Sequence, residues 1–191
     1  EEAKAVVKEI QRRLSDPQTA SQSIGVVTFN VNQQSLIEDL LNDMLRKNSD
    51  LEIVAAQMHE PIFIKNLENV QGDERDVILF SVGYGPDQDG RVSMNFGPLN
   101  KAGGERRLNV AVSRARYEMK VFSTLRPEQI DERRTQAEGV LGLKRFLQFA
   151  QQGTCLAPGQ EDGAGVSLMV QSIADKLRQN GYEVRTGIGS S

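Results

Sequence analysis

Residues 76–82 read DVILFSV, whose centre VILF (77–80) is an unbroken apolar run, set between a charged turn and a glycine-rich loop. Such a run has no polar face, so it predicts a strand covered on both sides by other elements. IGVVTF (24–29), LEIVAA (51–56), IFI (62–64) and MKVFST (119–124) predict further short buried strands. Elsewhere apolar residues recur at helical spacing. Ala3, Val6, Val7, Ile10 and Leu14 form one stripe, ended by SDP at 15–17, and Leu36, Ile37, Leu40, Leu41, Met44 and Leu45 form a second within 36–47. Leu108, Ala111, Val112 and Ala115 make a third within RRLNVAVSRA (106–115), and a last amphipathic stretch covers 137–151. Strands alternating with helices predict an α/β fold, a mainly parallel sheet with helices on both faces. Ligands of such sheets gather outside the carboxyl ends of the strands, which directs attention to the polar loops 65–76 and 83–116.

A chain of 191 residues, 38% hydrophobic and 26% charged, can bury one substantial core. No apolar run approaches the length of a membrane span. The single cysteine, Cys155, cannot form an internal disulfide, and a cytoplasmic protein without membrane contact is the expectation. His59 has no Cys/His cluster around it, so it predicts an exposed turn residue and no metal site. The formal net charge is -3. Within 101–120, however, Lys101, Arg106, Arg107, Arg114, Arg116 and Lys120 face only Glu105 and Glu118, a local net of +4. Such a patch can serve a polyanion even in an acidic chain, or simply solvate a loop.

After residue 151 the composition changes. A domain is expected over 1–151, a linker over 152–166 (QGTCLAPGQEDGAGV), and the start of a further domain over 167–191. In that last part Leu168, Ile173 and Leu177 predict a helix and GYEVRTGIG a strand.

Two strings carry candidate chemistry. In NVQGDERDVILFS (69–81) a glycine would let backbone approach a ligand, with Gln71 and Glu74 offering hydrogen bonds. The same string reads equally as a charged surface loop. In NFGPLNKAGGERRLNVAVSRAR (95–116), Gly103 and Gly104 open a helix, and Arg114 and Arg116 lie two apart near its end. On a continuing helix those arginines point to nearly opposite sides, so both could grip one phosphate only if the helix ended between them. Otherwise one faces a ligand while the other pairs with a carboxylate.

Taken in order, VVTFNVNQQ (26–34), VQGDERDVILFS (70–81) and LNVAVSRAR (108–116) resemble motifs IV, V and VI of the second RecA-like domain of superfamily 1 helicases. The resemblance is to the branch of the nonsense-mediated-decay helicase. Within it, FIKNLENVQGDERDVILFSVGYGPD and NFGPLNKAGGERRLNVAVSRAR look typical of large bacterial helicases with an appended restriction-endonuclease-like domain. The resemblance covers about two-thirds of the chain and implies a RecA-like P-loop NTPase fold.

It also implies roles. Arg114 matches the arginine that reaches the γ-phosphate of ATP from across an interdomain cleft. Gln71, Gly72, Glu74 and Arg116 belong to the nucleotide-binding motifs, with Glu74 at the ribose. Thr28, Asn30 and Asn69 lie where the family touches the nucleic-acid backbone. The implied cofactors are ATP and Mg²⁺. The implied partners are a single nucleic-acid strand, DNA by this branch, and a first RecA-like domain of the same polypeptide. No GxxxxGK[ST] phosphate loop occurs in the 191 residues, so the resemblance implies half of an ATP site, inactive alone. The segment 167–191 resembles the opening of the nuclease-like domain, although Ser172 stands where that domain usually has a glutamate. Two alternatives stay open: a RecA-like nucleic-acid-binding scaffold without motor function, and a delivery module for a fused nuclease.

Overall fold

The computed structural model describes residues 1–152, which fall within the compact unit Glu1–Cys155. The run 76–82 lies inside its sheet. Strand β3 (Arg75–Ser81) sits between β1 (Ile24–Thr28) and β4 (Ala115–Phe122), and β2 (Phe63–Asn66) forms the far edge. All neighbours pair in parallel, in the order β2-β1-β3-β4.

Alternation along β3 divides the interior in two. Val77 and Leu79 face α1 (Glu2–Ser15), α2 (Val31–Arg46) and α3 (Ser49–Ala56), whereas Ile78 and Phe80 face α4 (Gly104–Val112) and α5 (Glu138–Gln152). All four are fully buried, as a strand covered on both faces must be. The parallel α/β architecture with helices on both faces is that of a RecA-like fold.

The α1 stripe is buried at all five expected positions. Arg13 on the same helix is also 2% exposed, and it is matched by three polar partners. Glu9 lies at 2.9 Å, Gln22 at 3.0 Å and Glu118 at 2.6 Å. Lys120 of β4 reaches Glu9 at 2.7 Å, so ionic contacts staple α1 across the sheet edge. Arg12, Arg13 and Lys120 together hold the Glu9 carboxyl at about 2, Arg12 contributing most.

Two expectations need correction. LEIVAA is not a strand but most of α3. Its apolar residues Leu51, Val54 and Ala55 fall at helical spacing against the α1/α2 side of the core. Asp50 and Glu52 fill the first turn, where carboxylates favour a helix N-terminus. The helix of RRLNVAVSRA also stops early. The Arg75 amide donates to the Arg114 carbonyl at 3.1 Å, and from Ala115 the chain runs in sheet register. β4 therefore begins four residues before MKVFST, and Arg116 lies on a strand.

The β2–β3 connection, 67–74, is unusual for a parallel sheet because it contains no helix. Asn66 is level with Thr28, and Thr28 with Ser81. The chain must therefore return past the six residues separating Ser81 from Arg75, about 20 Å, while also crossing β1. A helix of eight residues advances only about 12 Å, so an irregular path is needed. Leu67 and Val70 pin that path to the α4/α5 face.

Candidate functional site

The two rims of the sheet carry different chemistry. At the carboxyl rim, β1 passes into α2 through Phe29 and Asn30 alone. Asn30 caps α2, its side-chain oxygen accepting from the Gln33 amide at 2.8 Å. Thr28 is fully buried and its hydroxyl donates to the Asn30 carbonyl at 3.1 Å. A direct backbone contact from Thr28 is thus unavailable in this conformation, and its side chain instead fixes Asn30. Glu2 closes the neighbouring space. Its carboxylate accepts from the Ser81 hydroxyl at 2.7 Å and the Gly83 amide at 2.8 Å, while Gln33 donates to Ser81 at 2.9 Å. No glycine-rich cradle for phosphates occupies this turn.

The expected nucleotide residues lie at the opposite, amino rim, contrary to the usual position of ligands in open sheets. Glu74 and Arg75 enter β3 there, and Arg114 and Arg116 enter β4. The connection 67–74 joins the rims, starting beside Asn66 and carrying exposed Asn69, Gln71 and Gly72 between them. Gly72 has φ 88°, a left-handed conformation suited to glycine, and among the described residues no atom beyond its chain neighbours lies within 4 Å of the place a Cβ would take. Gln71 lines a separate cleft of about 410 Å³ with Glu68, Arg106 and Arg107.

The two arginines of SRAR differ sharply. The helix ends before both, so neither rides on a helical turn. Arg116 Nη1 and Nη2 grip Glu60 at 2.8 and 3.1 Å, its Nε meets Glu74 at 3.2 Å, and Asp76 lies at 3.4 Å. The bidentate contact draws the Glu60 carboxyl down to about 2 and raises the Arg116 guanidinium further above its ordinary value. Asp76 is itself fixed by reciprocal bonds with Ser23, at 2.9 and 3.0 Å. Arg114 instead folds back on α4. Its Nε donates to the Val110 carbonyl at 2.8 Å and its Nη2 to Ser113 Oγ at 3.2 Å. Among the described residues it has no carboxylate partner. One arginine meets three carboxylates; the other, among the described residues, meets none.

Glu60 and Asp76 were missed as site residues. Glu60 follows His59 in a turn with no spacing signal to mark it. The three carboxylates converge on a guanidinium, and among the described residues no group of three or more His, Cys, Asp or Glu could hold a metal ion. Nor is any described helix long and apolar enough to cross a membrane.

Residues 1–126, which include both rims, match the AAA domain family. The chain belongs to that family. An uncharacterised ATP-dependent helicase of Mycoplasma genitalium is 34% identical to this chain over 192 residues, covering 96% of the chain and 16% of the relative. Its homologue in Mycoplasma pneumoniae is 34% identical over 188 residues, with the same coverages. The chain thus spans about 16% of the length of the curated relatives it matches. The AAA domain is helicase-like in sequence and RecA-like in fold.

Proposed function

We propose that this AAA domain is the second motor domain of an ATP-dependent superfamily 1 helicase or translocase, of the branch of the nonsense-mediated-decay helicase, acting on a single strand of DNA. The observation that carries this is the separation of Arg114 from Arg116. A half-buried arginine without a carboxylate partner among the described residues, fixed at its backbone to β3 and near a second arginine that meets three carboxylates, suits a group whose anion arrives from another domain. The similarity to ATP-dependent helicases supports ATP as the source of that anion.

ATP fits the amino rim as one side of a shared site. Arg114 offers a guanidinium, Gly72 leaves open space, and Glu74 is 58% exposed with Oε2 carrying no hydrogen bond among the described residues. When bound, ATP supplies the phosphoryl group whose transfer to water drives movement. Arg114 leaves the α4 carbonyl and places its planar charge where negative charge builds on that group. Glu74 accepts hydrogen bonds from ribose hydroxyls, and Gln71 and Gly72 complete the turn around it. Across the sheet, Asn30 and Asn69 position the strand through its backbone without reading sequence, with Thr28 acting through Asn30. The first RecA-like domain supplies the phosphate loop and holds Mg²⁺. Residues 152–166 serve as a linker and 167–191 open a restriction-endonuclease-like domain; both lie outside the described structure apart from Gln152.

The test is Arg114→Ala in the full-length polypeptide, with ATP hydrolysis measured on single-stranded DNA. Turnover should fall roughly 10³-fold or more, because finger arginines contribute on that scale. Turnover within a few-fold of wild type would favour a RecA-like scaffold that only binds the strand.

A further inference from the structure

The ion-pair cluster at the amino rim has an internal order. Glu60 occupies both terminal nitrogens of Arg116, at 2.8 and 3.1 Å, so the guanidinium plane is set by a two-point contact. That plane leaves Nε as the edge turned to Glu74, at 3.2 Å. Glu60 is only 27% exposed and is held from a second side by Arg75, 3.5 Å away. Arg75 is anchored in turn: it donates to the Pro61 carbonyl at 3.0 Å and to the Glu74 carbonyl at 2.8 Å, and its guanidinium stacks 4.9 Å over the Phe63 ring. Asp76 braces Arg116 from below but meets only Nη1, at 3.4 Å. Glu74, the most exposed carboxylate of the three, has no other side-chain hydrogen bond among the described residues. Arg116 is thus the one side chain that Glu74 meets among the described residues, and Glu60 makes the two shortest of the four contacts to Arg116.

We infer that Glu60 is a positioning residue for nucleotide binding, acting through Arg116 to aim the Glu74 carboxylate at the ribose. This rests on the role given to Glu74 above. A carboxylate at position 60 fixes Arg116, Arg116 restrains Glu74 Oε1, and Glu74 Oε2 is presented to the ligand already oriented. Removing the charge at 60 leaves Arg116 free to swing toward Asp76 and leaves Glu74 mobile on the surface. Binding of ATP then weakens, while the chemical step, which belongs to Arg114, continues.

The experiment compares Glu60→Gln, Glu74→Gln and the double variant in the full-length polypeptide, measuring kcat and KM for ATP on single-stranded DNA. Glu60→Gln should raise KM about tenfold with kcat within about twofold, the scale of losing one charge-assisted hydrogen bond. Glu60→Asp, which keeps the charge, should recover part of that loss. In the Glu74→Gln background, Glu60→Gln should add little, because both act through one carboxylate. A loss of kcat at unchanged KM, or KM effects that multiply in the double variant, overturns the relay and leaves the role of Glu74 standing. An unchanged KM for Glu74→Gln overturns that role and the relay with it. In the 191-residue chain itself, Glu60→Gln should speed solvent exchange of the Arg116 Nε–H severalfold by NMR; unchanged exchange refutes the relay whatever the ligand.

Discussion

At the scale of single residues, backbone proximity sets the tolerance of the domain to change. Gly104 begins α4 against the Leu99 carbonyl, and a Cβ there would meet backbone atoms that cannot turn aside. Gly139 of α5 approaches the same carbonyl, at 2.6 Å from the place of its Cβ. Gly104→Ala should therefore destabilise the domain by about 2–3 kcal/mol, the usual cost of overpacking. Gly72→Ala meets no atom and should cost about 1 kcal/mol through its positive φ alone. Urea unfolding of the two variants measures the contrast, and equal costs would mean that α4 can shift away from Leu99. The GG pair was visible in the sequence, but not which glycine was needed for which reason. Gly103 supplies the left-handed cap at φ 77°, and Gly104 supplies room.

At the scale of elements, α1 is held to β4 by charge as well as by its apolar stripe. The Glu9 carboxyl is depressed from 4.5 to about 2 in the folded chain. Its stabilising contribution is complete above the unfolded value and is lost as pH falls from about 4.5 toward 2. Glu9→Gln should lower stability at neutral pH, and the difference from wild type should shrink across that window. A difference that stays constant down to pH 2 would show that the contacts with Arg12, Arg13 and Lys120 contribute nothing. Elements with strong periodicity were legible from the chain, as α1, α5, β1 and β3 show. LEIVAA misled because five apolar residues of six, without alternation, fit a buried strand or a short helix equally. Its preceding polar turn and acidic first positions were the discriminating signal. The end of α4 was not legible, since Ala and Val suit both the helix and the strand that follows. What stops the helix is a hydrogen bond from Arg75, about forty residues earlier.

At the scale of the whole molecule, the sheet separates two kinds of surface. Its carboxyl rim is filled by Glu2, Asn30 and Gln33, and its amino rim bears the arginines and their carboxylates. The two candidate strings were readable along the chain, but the placing of Thr28 and Asn30 on one rim and of Glu74, Arg114 and Arg116 on the other required the strand register. The same division predicts that the 191-residue chain does not hydrolyse ATP alone. A phosphate-release assay on the purified chain should show no turnover above background. Turnover lost on Arg114→Ala would show instead that a complete site forms without a first RecA-like domain.

The connection 67–74 bridges that division along the chain. Nine backbone steps join Asn66 to Arg75, a contour of roughly 30 Å when fully stretched. Most of it is spent on the distance between the rims and on the width of β1. Two hydrogen-bonded turns, Asn66–Asn69 and Val70–Asp73, fold the connection on its way, and Leu67 and Val70 hold it to the core. Asn69 and Glu74 thus lie five residues apart on one short connection outside the sheet, a covalent path between the two rims that bypasses the strands.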